Sequence, residues 1–148
     1  MRSRRRRSPR PRRFSGVPSV PVPPELDEFL AKPNPAVVAT LRPDGSPHTA
    51  ATWYDWEDGR VLLNMADTRV RLGYMRADPR ASLTVLAEQD WYRHVSLMGR
   101  IVSIEEDVDL RDIDRLAVRY TRRPYGKRDV KRFSAWLEPQ RWHVWPPR

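Results

Sequence analysis

The sequence predicts a mainly β (α+β) domain in which a six-stranded antiparallel sheet, most economically closed into a barrel, carries short flanking helices. Three observations predict it. Short runs of strand-forming residues recur with turn signals between them, Pro43-Asp44-Gly45 and Asp58-Gly59 being the clearest. Only three stretches have helical spacing, and they do not alternate with the strands as βαβ units would require. The chain has 148 residues, 39% hydrophobic and 32% charged, which suits one core and leaves little room for a second. No internal repeat is visible.

The elements follow in order. Leu26, Phe29 and Leu30 fall at i, i+3 and i+4 behind Pro23-Pro24, giving a short amphipathic helix that Pro33 and Pro35 terminate. Ala36 to Leu41 is a strand. It runs into Pro43-Asp44-Gly45, where proline presets φ and glycine accepts a positive one, and the chain returns from Ser46 to Trp56 as the second strand of a hairpin. Asp58-Gly59 reverses the chain again and Arg60 to Met65 makes a third strand. Asp67 or Thr68 is expected to cap a helix whose apolar positions carry it to Ala77, before Asp78-Pro79 stops it. Arg80 to Ala87 is the fourth strand, and Trp91 to Ile104 the fifth, with a bulge expected at Gly99. Glu105 to Asp109 is expected to open a helix on which Ile113, Leu116, Ala117 and Tyr120 share a face, and Gln140 to Trp145 to close the sheet.

Composition removes several chemistries. There is no cysteine, which excludes disulfides, thiolate nucleophiles and cysteine-held metals, and fits a reducing cytoplasm. No run of 18 apolar residues exists, so a soluble protein is expected. The net charge of +9 dissolves when divided along the chain. Residues 1–13 hold eight arginines and no acid, leaving 20 basic and 19 acidic residues elsewhere, a net of +1. Residues 1–23 therefore read as an Arg/Pro-rich disordered tail and residues 24–148 as the folded domain. Arg12-Arg13 suggests twin-arginine export, but the prolines after it leave no apolar helix for a signal peptide. Nonspecific nucleic-acid contact by the tail is physically reasonable through counterion release; a solvated tail or a start assigned too far upstream are the alternatives.

Most catalytic constellations are absent. The six glycines never approach a dinucleotide or phosphate-loop motif. His48, His94 and His143 are too dispersed for a local metal motif, so no metal site is expected. One feature stands out. Asp67-Thr68-Arg69-Val70-Arg71 puts two arginines at the start of a predicted helix, where the macrodipole disfavours each cation by about 0.3–1 kcal/mol. A bound phosphate would compensate, held by backbone N–H groups, the Thr68 hydroxyl and two guanidinium forks. The alternative is that both arginines point into water.

The hairpin A-T-L-R-P-D-G-S-P at 39–47, the strand start D-P-R-A-S-L at 78–83 and the strand G-R-I-V at 99–102 occur in the order and spacing of a known family. The chain resembles the pyridoxamine 5′-phosphate oxidase-like split β-barrels, the FMN-binding-protein-like fold, and in particular the branch that uses the deazaflavin coenzyme F420. Arg119-Tyr120 and the terminal Pro139-Gln140-Arg141-Trp142 also resemble that branch. The resemblance implies a homodimer with the coenzyme ring against the second strand, along Thr49, Ala50, Ala51 and Thr52, with Asn64 as a polar contact. It implies a phosphate held at the helix after the third strand, by Arg69 and Arg71, the two residues that the dipole argument isolates, with Thr68 beside them. This chain has Arg71 where the family often has lysine, and Tyr74 where it often has asparagine. True pyridoxamine phosphate oxidases carry a longer C-terminal segment, so vitamin B6 oxidation is not expected of a chain ending WHVWPPR.

The activity so implied is an F420-dependent oxidoreductase that exchanges a hydride with a small unsaturated or quinone-like substrate. FMN-dependent chemistry, or flavin or haem binding without turnover, is the alternative. The basic run Arg119 to Arg132 could face the polyglutamate tail of the deazaflavin, or could simply balance the acidic run Glu105 to Asp114. No catalytic residue is assigned; Tyr54, Tyr92 and His94 are candidate proton donors by type alone.

Overall fold

The computed structural model describes residues 20–147. The arginine-rich segment, with the export and nucleic-acid readings attached to it, lies outside the described residues. Packing begins slightly before the expected boundary at Pro24, because Val22 is half-buried against the core.

Ten elements follow: α1 (Pro24–Leu30), β1 (Ala36–Leu41), β2 (Pro47–Thr52), β3 (Asp55–Glu57), β4 (Arg60–Ala66), α2 (Val70–Ala77), β5 (Arg80–Ala87), β6 (Asp90–Glu106), α3 (Arg111–Thr121) and β7 (Arg132–Trp145). All strand pairs are antiparallel, in the order β2-β1-β5-β6-β7-β4-β3. The β1–β2 turn forms as its sequence dictates. Gly45 takes φ +82°, a left-handed value that costs glycine little, and the Asp44 carboxylate accepts the Ser46 N–H at 2.9 Å.

The sheet has seven strands, where six are expected from the sequence. Trp53 and Tyr54 divide the expected Ser46–Trp56 strand into β2 and β3. Local side chains take up their backbone groups in place of ladder partners: the Thr52 hydroxyl donates to the Trp53 carbonyl at 2.9 Å, and Tyr54 N–H donates to the Tyr120 hydroxyl at 3.4 Å. The division shapes the molecule. β2 and β3 are the two edges of the sheet yet are joined by two residues, a span of no more than about 11 Å. The sheet therefore curls until its edges meet at Trp53-Tyr54, giving a split β-barrel that stays open at that seam rather than a closed one.

The last strand begins at Arg132, not Gln140. Pro139, which lacks an N–H, sits inside it opposite Gly99, where the β6–β7 register shifts. The bulge expected at Gly99 is there. A Cβ on that glycine would lie 2.0 Å from the Glu138 carbonyl oxygen, so only glycine permits so close an approach of the two strands. β6 likewise runs on through Glu105 and Glu106, which pair with Ser134 and Phe133, and the last helix starts only at Arg111.

β4 is buried on both faces. Its alternate residues Val61, Leu63 and Met65 enter the barrel core with Leu83, Leu97 and Leu137. Leu62 points the other way, into a second cluster with Leu116 of α3 and Trp136 of β7. Burying each such leucine stabilises the fold by roughly 1.5–3 kcal/mol, and the second cluster fixes α3 against the outside of the barrel. No helix among the described residues is long and apolar enough to cross a membrane.

Candidate functional site

A cleft of about 570 Å³ opens at the seam. The end of β2 contributes Ala51 and Thr52, followed by Trp53; Pro33 and Pro35 precede β1; Tyr120 and Tyr125 come from α3 and the loop after it. Asn64 brings a polar amide, Arg71 and Arg132 two cations, and the exposed Glu88 one carboxylate.

The wall formed by residues 32–35 is held by side chains. Arg119 donates to the carbonyls of Leu30 at 3.2 Å, Ala31 at 2.7 Å and Lys32 at 2.6 Å, placing a cation on the C-terminal end of α1, where the helix dipole favours it. The Tyr120 hydroxyl donates to the Asn34 carbonyl at 2.7 Å, and the Tyr120 ring stacks on Trp53 at 5.5 Å with 8° between planes. Asp55 ties these parts to the barrel, pairing with Arg119 at 3.1 Å and with Arg115 at 2.6 Å. Burial alone would lower the Arg115 pKa, but Asp55 and Glu57 more than offset it and the guanidinium is held above its ordinary value.

The far side of the cleft rests on a buried polar network. The Asp107 carboxylate accepts the N–H groups of Asp112 at 3.1 Å and Ile113 at 2.9 Å, satisfying two donors in the first turn of α3. Asn64 donates to Asp107 and to Ser134, both at 3.1 Å, and accepts from Arg132 Nε at 2.7 Å. Ser134 in turn donates to Asp112 at 2.6 Å.

Arg71 differs from these residues. It is half-buried in the cleft, and among the described residues it has neither an ion pair nor a hydrogen bond. Burial, and then the neighbouring Arg69 and Arg132, push its pKa below the ordinary arginine value. A guanidinium so placed lacks an anion.

The structure brings together four of the eight site residues expected from the sequence: Ala51, Thr52, Asn64 and Arg71 line the cleft. Thr49, Ala50, Thr68 and Arg69 are not among its lining. Strand alternation separates the β2 residues: Ala50 packs on the core, while Thr49 and Ala51 are exposed. Neither Asp67 nor Thr68 caps α2. Arg69 occupies the N-cap position with no side-chain cap, so Arg71 is the second helical residue.

The candidate proton donors lie elsewhere. The Tyr54 ring is buried, with its hydroxyl donated to the Leu30 and Lys32 carbonyls, and neither Tyr92 nor His94 lines the cleft. The basic run is partly spent inside the fold: Arg119 serves Asp55 and the α1 carbonyls, Arg128 pairs with Asp114, and Lys131 faces Glu106 at 4.0 Å. Sequence reasoning misses Arg132, Trp53 and Tyr125 as site residues. For Trp53 the sequence offers only a flat apolar ring, one of six tryptophans, and nothing that marks a break in the strand.

A family model described as pyridoxamine 5′-phosphate oxidase matches residues 22–146. Over 105 residues the chain is 35% identical to the F420H(2)-dependent biliverdin reductase of Mycobacterium tuberculosis, covering 69% of this chain and 75% of that one. Among solved structures it is similar to an F420 reductase, with a TM-score of 0.75 at 24% identity, covering 82% of this chain and 98% of the other. It is also similar to general stress protein 26 of Bacillus anthracis, with a TM-score of 0.61 at 19% identity, covering 84% and 96%. The two structural likenesses carry the fold alone.

Proposed function

The chain belongs to the pyridoxamine 5′-phosphate oxidase family, a family of oxidoreductases, and on that premise we propose that it is an F420-dependent reductase acting on a small unsaturated or quinone-like organic acceptor. The observation that carries this reading is Arg71, a half-buried cation with no ion pair among the described residues, at the start of a helix and inside a cleft that the small-residue end of β2 also lines. These residues fit a flat ring bearing a phosphate. Arg71, with Arg69 at the preceding N-cap, would hold the phosphate, and Ala51 would let the ring approach the backbone.

When bound, the deazaflavin supplies the hydride. The chain's own work is to orient and to exclude water: the stacked Trp53 and Tyr120, tied through the Asn34 carbonyl to the segment that carries Pro33 and Pro35, shield one side of the cleft. FMN shares the phosphate chemistry. Favouring the deazaflavin, with its polyglutamate tail, are the exposed Arg122, Arg123 and Lys127, which have no ion-pair partner among the described residues and flank the cleft residue Tyr125.

We also propose a homodimer. β2 is an unprotected edge, and the sheet face running from Thr49 and Ala51 through Val37, Ala39 and Leu41 is apolar or small. A second copy there would deepen the cleft and cover the edge. Light scattering is expected to give twice the chain mass at micromolar concentration; a monomer would overturn this part.

Fluorescence titration with coenzyme F420 and with FMN, side by side, tests the coenzyme. Saturable binding with preference for F420 is expected. A preference for FMN, or no binding of either, would overturn the assignment.

A further inference from the structure

We infer that Arg132 anchors a carboxylate of the hydride acceptor, so that the substrates of this cleft are planar conjugated acids; the inference rests on the coenzyme reading above. Arg132 is only 9% exposed, yet among the described residues no carboxylate pairs with it. The buried acids of the adjoining network are committed elsewhere, Asp107 to the α3 N–H groups and Asn64, Asp112 to Ser134, and Glu88, the carboxylate that also lines the cleft, is exposed and pairs with neither arginine. What Arg132 has is neutral. Its Nε donates to the Asn64 side-chain Oδ1 at 2.7 Å, Nη1 reaches the Tyr125 hydroxyl at 3.4 Å, and the Tyr125 ring centre lies 4.7 Å from the guanidinium carbon.

Those contacts hold the guanidinium plane while leaving Nη2 without an acceptor among the described residues. A buried cation in this state is unfavourable until an anion arrives, and a carboxylate meeting the fork end-on makes charge-assisted hydrogen bonds. Arg71 does not remove the need. It is itself a cation in the same cleft, the two destabilise one another, and one coenzyme phosphate at Arg69 and Arg71 leaves the charge of Arg132 unanswered. The flat surfaces offered beside Arg132 are aromatic: Tyr125 against it, and the Trp53–Tyr120 stack along the wall. A planar acid can stack there and place its carboxylate on Arg132, whereas an acid lacking a ring forgoes the stacking.

Calorimetric titration of the F420-loaded protein with 2-naphthoate and its neutral counterpart 2-naphthamide tests this. The wild type is expected to bind the acid about tenfold more tightly than the amide. Arg132→Gln should reduce the acid to the affinity of the amide while leaving the F420 dissociation constant within about twofold of wild type. Arg132→Lys, which keeps the charge and loses the fork, should fall between and serves in place of the glutamine variant if that fails to fold. Equal affinity of the wild type for acid and amide would overturn the inference. So would a loss of F420 affinity in Arg132→Gln as large as in Arg71→Ala, because Arg132 would then belong to the coenzyme. If F420 does not bind at all, the coenzyme reading fails on its own, and an acid preference that vanishes with Arg132→Gln in the unloaded protein still supports the anchor.

Discussion

Asn64 on β4 donates its side-chain amide to the Asp107 carboxylate at 3.1 Å, linking the outer face of β4 to the first turn of α3. Since the same carboxylate accepts two α3 N–H groups, one side chain sets both the helix start and the polar floor of the cleft.

Asp107→Ala should therefore destabilise the protein by roughly 2–4 kcal/mol: about 1 for the lost cap, and about 1–3 for leaving a buried Asn64 donor unpaired. Asp107→Asn keeps one acceptor oxygen and should cost less. Urea unfolding followed by tryptophan fluorescence measures both; a neutral Asp107→Ala would show that water takes over the carboxylate's role.

Arg71→Ala separates binding from folding. A charge-assisted contact to a phosphate is worth about 1.5–3 kcal/mol, so coenzyme affinity should fall by about one to two orders of magnitude. Stability of the coenzyme-free protein should be unchanged or slightly higher, since the side chain has no ion pair among the described residues to lose and its charge opposes the helix dipole. If thermal melting instead shows lost stability together with lost binding, Arg71 is a structural cation and the anion site is wrong.

Two glycines should respond in opposite directions. Gly99→Ala forces a Cβ to within 2.0 Å of the Glu138 carbonyl, where backbone must move, and should cost more than about 2 kcal/mol or abolish folding. Gly73 lies inside α2, is exposed, and has nothing within 4 Å of its Cβ position. Gly73→Ala should stabilise by about 0.5–1 kcal/mol through helix propensity. Chemical denaturation reads both changes, and a tolerated Gly99→Ala would show that the β6–β7 bulge can relax.

What the sequence makes legible is what local chemistry decides. Pro43-Asp44-Gly45 specifies its turn, the short apolar run Ala36–Leu41 before it a strand, and the paired arginines at 69 and 71 a helix start that local preference does not explain. What stays hidden depends on partners distant in the chain. Trp53 and Tyr54 break a strand because Tyr120, 66 residues after Tyr54, receives a backbone N–H. Arg132 resembles any solvated basic residue in a run of them until the fold buries it beside Asn64, 68 positions away. Pro139 argues against a strand continuing from Arg132, and only the Gly99 bulge opposite makes it acceptable.

Alkaline titration should expose the other anchor of the cleft wall, Tyr54. Its ring is 0% exposed and its hydroxyl donates at 2.9 Å to the carbonyls of Leu30 and Lys32, so burial, with Tyr120 adding to it and Arg119 opposing, holds its pKa well above the ordinary phenol value of 10. Burial raises Tyr120 as well. A folded pKa above the unfolded one means that the unfolded chain loses these protons first. The stabilisation is then complete below about pH 10 and declines as pH rises from there toward the folded values. Urea midpoints should be level from pH 8 to about 10 and fall beyond it, with tyrosinate absorbance from the buried rings emerging only as the protein unfolds. Tyr54→Phe should lose about 1 kcal/mol at pH 8, because its hydrogen bonds go while Arg119 continues to serve the same carbonyls. Its decline above pH 10 should be shallower than that of the wild type. Equal slopes in the two proteins would mean that Tyr54 ionises within the folded state, and the segment leading to the cleft would then have to open to water without global unfolding.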